Sequence, residues 1–192
     1  EVELQQAITP CLSGLDLLAA PSGTQEPELF QEEGFERLYQ IFQELCARYD
    51  IVLVDAPAGI GQMVINTALW ADRVLLTTSP EVPALADAYA TLKVLVHLGR
   101  KEGIGLVVNM ASERNEAYRI GARIEHVALK FLGAEVHKLG WIPYDRHVPL
   151  AVGQRKPFTI VYPHCPASQA VKDLWERISS DIGAVGEYAF VK

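Results

Sequence analysis

A three-layer α/β domain, with a mostly parallel sheet and helices on both faces, is the fold class the sequence predicts. Three observations predict it. The runs Ile51-Val52-Leu53-Val54, Arg73-Val74-Leu75-Leu76-Thr77-Thr78 and Leu106-Val107-Val108 have the continuous apolar character of strands covered on both faces. Segments of helical periodicity stand between them, and such alternation means βα units. Asp55, Asn109 and the turn Pro143-Tyr144-Asp145 follow the carboxyl ends of strand-like runs, which is where open α/β sheets bind ligands.

Taken in order, Glu1 to Gly14 reads as a short helix and loop, and Leu15 to Ala20 as a first strand ended by Pro21. Ser22 to Glu33 is polar, carries Gly23 and Pro27, and reads as a loop. From Phe35 to Arg48 the positions Phe35, Leu38, Ile41, Phe42, Leu45 and Cys46 recur at helical spacing. After the Ile51 strand, Val64 to Leu69 is a short helix and Arg73 to Thr78 a second buried strand. Pro83 opens the next helix, whose inner stripe is Leu85, Ala88, Tyr89, Leu92 and Leu95. Gly103 and Gly105 break the chain before the Leu106 strand, which ends at Asn109. An amphipathic helix with Ala117, Ile120, Ile124, Val127 and Phe131 on one face stops at Gly133. A strand from His137 to Ile142, a short segment around Val148 to Val152, and a helix from Pro166 to Ile182 complete the pattern.

The 192 residues form one expected domain, 1–192, long enough to bury a sizeable core. Hydrophobic residues make up 49% and charged residues 21%, an ordinary balance for a globular protein. The net charge of −7, with no basic run longer than Arg100-Lys101, argues against direct nucleic-acid binding. Cys11, Cys46 and Cys165 stand far apart without a CxxC pair, against a thiolate metal site or a disulfide framework. No segment has the length and apolarity to cross a bilayer, and the start does not read as a signal peptide. The expected location is cytoplasmic. The histidines His97, His126, His137, His147 and His164 share no motif and read as surface or interface residues.

The stretch YDIVLVDAPAGIGQ, Tyr49 to Gln62, is the centre of the chemical reading. An acid at a buried strand's end can order a water on Mg²⁺, and Gly59 lets the backbone approach a terminal phosphate because no Cβ intervenes. The alternative is a strand and turn in which Asp55 caps and the glycine punctuates. Asn109 offers a carboxamide to the N6 and N7 edge of adenine, and no carboxylate in Met110-Ala111-Ser112 provides the partner guanine needs. A turn-capping role for Asn109 is the other reading.

With these residues quoted, the chain resembles the MinD/ParA deviant-Walker ATPases, and within them the flagellar-number regulators of the FlhG/FleN type. YDIVLVDAPAGI resembles the switch II strand and turn; LLTTSPEVPALADAY resembles the strand and helix that follow. LVVNM resembles the adenine-reading strand end, with Met110 where the group has a basic residue. LGWIPYDRHVPLAVGQRKPFTIVYPHCPASQAV resembles the C-terminal section, so the likeness runs from Gly14 to Ile178. It implies a P-loop NTPase-like fold with ATP and Mg²⁺ as cofactors. Asp55 and Gly59 are implied as catalytic, with Asp55 holding the metal through water; Pro57, Asn109, Pro143 and Asp145 are implied to frame the nucleotide. It further implies an ATP-bound homodimer, a regulatory or flagellar protein partner, and peripheral placement at the pole or inner membrane.

The family's Gly-rich phosphate loop with two lysines, KGGxGK[ST], and its first strand do not occur in these residues. The expectation is therefore a chain that is N-terminally incomplete or that has lost its catalytic half. Such a chain is inactive alone and binds no cofactor tightly; the alternative function is a non-catalytic interaction module. The absent strand is expected to leave two unpaired inner edges beside the Asp55 strand. Ser179 to Lys192, with Asp181, Glu187, Gly183 and Gly186, makes a poor basic amphipathic membrane anchor.

Overall fold

A computed structural model describes residues 4–11, 14–19, 32–182 and 188–191. Contacts divide the chain into two units, Glu1–Arg48 and Tyr49–Lys192. The first holds helix α1 (Leu4–Ala7), strands β1 (Ile8–Pro10) and β2 (Asp16–Leu18), and helix α2 (Glu32–Cys46). β1 and β2 form an antiparallel hairpin, with Ile8 opposite Leu18 and Pro10 opposite Asp16. The strand expected from Leu15 is thus half of a hairpin, and Ile8–Pro10, read as loop, is its partner. Of the loop expected at 22–33, residues 22–31 lie outside the described residues, and Glu32 and Glu33 instead begin α2. On α2 the predicted stripe holds: Phe35 and Phe42 are buried, and Leu38, Ile41 and Leu45 are partly so.

The second unit is a five-stranded parallel sheet with the strands in the order β3-β7-β4-β5-β6. Its elements are β3 (Ile51–Val54), α3 (Gln62–Trp70), β4 (Arg73–Thr78), α4 (Val82–His97), β5 (Ile104–Ala111), α5 (Arg114–Val127) with a π-helical turn at Ala128–Leu132, β6 (Val136–Pro143), α6 (His147–Gly153), α7 (Phe158–Val161), α8 (Pro166–Ile182) and β7 (Tyr188–Val191). The core joins β4 and β5 to α3, α4 and α5; Leu92, Leu95 and Ile104 have no exposed surface. β5 is the best covered strand, because it lies between two others and under α5.

Three expectations change here. Gly105 lies inside β5 and does not precede it. A Cβ there would stand 2.2 Å from Leu139 Cδ1, so the glycine makes room for a β6 side chain. β3 is less buried than its apolar run predicts, with Leu53 69% exposed, because it is the outermost strand of the sheet.

The expectation of two unpaired inner edges is overturned for β3, and for β4 only at Arg73 and Val74. β7 enters the sheet between β3 and β4, parallel to both, with Ile51 to Val54 opposite Tyr188 to Val191 and Arg73 and Val74 opposite Phe190 and Val191. Main-chain N–H and C=O groups inside a sheet must be paired, and Tyr188–Val191 pairs those along β3 and at the start of β4.

α3 is closed by a distant residue. Arg100 donates to the carbonyls of Ala68 (3.1 Å), Ala71 and, through Nη2, Asp72 (2.8 Å), which are orphan acceptors at a helix end. Burial lowers the guanidinium's pKa, and the Asp72 charge opposes that shift.

Deleting residues 183–192 should lower the unfolding free energy of the chain by about 2–4 kcal/mol through lost ladder bonds. It should also raise self-association measured by light scattering. Ala189→Pro, which removes an interior N–H, should act in the same direction. A melting temperature unchanged in both variants would show that β7 does not hold the slot.

Candidate functional site

β3 ends at Val54, and residues 55–61 turn at the carboxyl edge of the sheet before α3 begins. This turn, the end of β4 and the face of α4 enclose a cleft of about 320 Å³, into which Asp55, Pro57, Gly59, Thr77, Asp87 and Thr91 contribute. Gly59 has φ 106°, and no atom lies within 4 Å of where its Cβ would be. A side chain there would be strained and would fill open space, so glycine leaves the backbone accessible from the cleft. Thr91 Oγ1 bonds the Asp87 carbonyl at 2.9 Å and lies 3.4 Å from the Gly59 carbonyl, tying the turn to α4.

Among the described residues, two carboxylates and no cationic side chain line the cleft. That charge suits a hydrated divalent cation, and an anion would enter with the cation between them. Asp87 and Thr91 escaped the sequence reading. Their signal is present: two polar residues four apart, hence one turn apart, on the helix that follows a strand end.

Asn109 sits on β5 opposite Ile142, and Ala111 sits opposite Pro143, so Met110 is the extra residue of a bulge. Met110 has φ 58°, and its N–H donates to Asn109 Oδ1 at 2.9 Å. The bulge carries β5 two residues beyond the expected end at Asn109. The turn-capping bond is present, and it leaves the second lone pair of Oδ1 and the NH₂ group without a partner among the described residues. All strands of the sheet run the same way, so Asp55, Asn109 and Pro143 share its carboxyl edge. They do not share one cavity. Pro143 lines a separate space with α8, and Asn109 lies outside the Asp55 cleft.

Asp145, implied by the resemblance to help frame the nucleotide, is engaged within the fold. It is buried, and its Oδ1 accepts from the His147 N–H (2.9 Å) and meets His147 Nδ1 (2.7 Å). Its Oδ2 accepts from the Ala167 N–H at 3.1 Å, in the first turn of α8. The carboxylate therefore clamps the turn after β6 to the α8 N-terminus. His147, read as a surface residue, is half-buried there with its ring 4.8 Å from that of Tyr162. Asp145, His147 and Cys165 place possible ligand atoms within 4.8 Å of one another, with each carboxylate oxygen already accepting a main-chain N–H.

Those N–H groups of His147 and Ala167 hold the Asp145 carboxyl well below the usual carboxylate range, with smaller help from the His147 ring and the Cys165 thiol. A depressed pKa contributes stability that is fully present above the unfolded value, near 4, and is lost as pH falls through the folded value. Asp145→Asn should therefore flatten the fall of melting temperature between roughly pH 5 and 3, and at pH 7 should lower it by roughly 2–6 °C. Parallel acid curves for variant and parent would exclude this role.

No family model matches the chain. It is 29% identical to the antiactivator FleN of Pseudomonas aeruginosa over 178 residues, covering 93% of this chain and 64% of that protein. It is 29% identical to the flagellum site-determining protein YlxH of Helicobacter pylori over 177 residues, covering 91% and 59%. The chain thus spans less than two thirds of the length of either relative. Septum site-determining MinD proteins match as well. The fold superposes on the Pyrococcus horikoshii MinD complexed with Mg-ADP with a TM-score of 0.71 at 21% identity, covering 95% of this chain and 71% of that one. The chain is thus similar in sequence to the FleN, YlxH and MinD proteins, and it shares the fold of the solved MinD structure.

Proposed function

We propose that this chain is the greater part of a MinD/ParA-like ATPase that uses ATP-dependent dimerisation for spatial regulation, of flagellar number or placement. The observation that carries this reading is the cleft at the ends of β3 and β4, where Asp55 and the open backbone of Gly59 face one space. Relatives named for flagellum site determination and for FleN antiactivation support the biological direction. Bound ATP with Mg²⁺ would supply the phosphoryl group and the charge that polarises it. Asp55 would orient a water of the cation, Gly59 would meet the terminal phosphate through its main chain, and Asn109 would turn its carboxamide to adenine. Pro57 and Pro143 would stiffen the cleft and the base side. Asp145 would position that side through α8, a step removed from the ligand. A regulatory or flagellar protein would be the partner, met at a cytoplasmic or peripheral membrane site. Among the described residues no helix is long and apolar enough to cross a membrane.

A non-catalytic interaction module is the second reading. β7 favours it, because a strand from these residues pairs with β3 and with the start of β4.

The triphosphate clamp of the family, clustered N–H groups with lysine ammoniums, has no counterpart in these residues. Isolated hydrogen bonds net about 1 kcal/mol each against water, so a few of them give millimolar affinity or weaker. ATP with Mg²⁺ titrated into the chain should give no saturable heat at micromolar concentrations; a low-micromolar dissociation constant would reveal a phosphate site within it. In a longer form that carries a phosphate loop, Asp55→Asn should cut hydrolysis by about a hundredfold or more. ATP should be preferred over GTP by at least several-fold, from roughly 1–3 kcal/mol per mismatched base edge. Light scattering should show a dimer with ATP and a monomer with ADP. Hydrolysis unaffected by Asp55→Asn would remove the proposed role of the cleft.

A further inference from the structure

We propose that the groove between α5 and α8, over strands β5 and β6, is a binding site for a small planar anion, an aromatic ring system carrying a phosphate or carboxylate. The groove encloses about 600 Å³, against about 320 Å³ for the Asp55 cleft, and falls within the range of small-molecule sites. Its floor is apolar, from the buried Leu106, Val108 and Ala117. Part of the space exists because β6 carries a glycine there: a Cβ on Gly140 would meet nothing closer than Arg177 Nη1 at 3.6 Å. Tyr118 and the half-buried Trp141 supply aromatic walls.

Charge gives the ligand its sign. Arg114, Lys138 and Arg177 line the groove against one carboxylate, Asp173, in a chain whose net charge is −7. The three cations differ in what they can still do. Lys138 is paired with Glu125 and lies 5.2 Å from the Tyr118 ring centroid, so it contributes field more than a contact. The hydrogen bond to Glu125 raises its pKa and keeps it charged. Arg177 spends one Nη1 bond on the Leu139 carbonyl at 2.6 Å and retains the rest of its fork. Arg114 makes no hydrogen bond or ion pair among the described residues. Cations on an open convex surface are ordinarily just solvated. Here two guanidinium forks, which bind phosphate and carboxylate bidentately, ring a concave space with an apolar floor and aromatic walls. A flat ring fits the walls and its anionic group meets the forks. The site differs in sign from the Asp55 cleft, lined by two acids, and stands or falls apart from the ATPase reading.

The test uses the 192-residue chain and calorimetry with flavin mononucleotide, with riboflavin and inorganic phosphate as the ring-only and anion-only probes. One saturable site is expected for flavin mononucleotide, with each half-probe at least about tenfold weaker. Arg114→Ala with Arg177→Ala should weaken binding at least about tenfold. Gly140→Leu, which fills the space beside the Arg177 fork, should weaken it comparably, with circular dichroism confirming the fold. The arginine pair alone decides the matter if Gly140→Leu does not fold. Absence of saturable binding, riboflavin binding as tightly as flavin mononucleotide, or binding that survives the arginine pair would each overturn the proposal.

Discussion

The slot between β3 and β4 constrains the rest of the sheet. A parallel strand presents N–H and C=O groups along both edges, and groups at the centre of a sheet are shielded from the water that would satisfy them. β4 is held on one side by β5 and on the other by β7, which pairs only with Arg73 and Val74 before it stops. Beyond that point β4 runs on to Thr78, and the Asp55 cleft opens where the ladder ends.

The cleft itself follows from local chemistry. Pro57 and Gly59 turn the chain immediately after β3, and Gly59 adopts a conformation that bulkier residues tolerate poorly. Asp55 begins that turn, so its carboxylate is delivered to the sheet edge by the length of β3. Thr91 then fixes the turn against α4 by side-chain bonds that local sequence does not announce.

The far end of the same edge is built for rigidity. Asp145 gathers the turn after β6, His147 and the first turn of α8 through four hydrogen-bonding partners. A carboxylate with its acceptors satisfied from within the fold is poor at recruiting a ligand and good at holding an orientation. Glu116 does related work at the start of α5, accepting from the N–H and hydroxyl of Ser112 just past the β5 bulge.

The sequence alone determined the alternation of strands and helices in Tyr49 to Ile182, the inner stripes of α2 and α4, and the placement of Asp55, Asn109 and Pro143 at one edge. Each of those depends on periodicity or on where an apolar run stops, both local properties. It also carried the family likeness, because strand-end motifs are short and contiguous. Only the tertiary structure decided that Tyr188 to Val191 enters between β3 and β4, since strand partnership is a contact between distant segments and leaves no local periodicity. The same holds for the roles of Asp145, Arg100 and Gly105. A buried carboxylate, a helix-closing guanidinium and a glycine under Leu139 are each defined by a partner from another element.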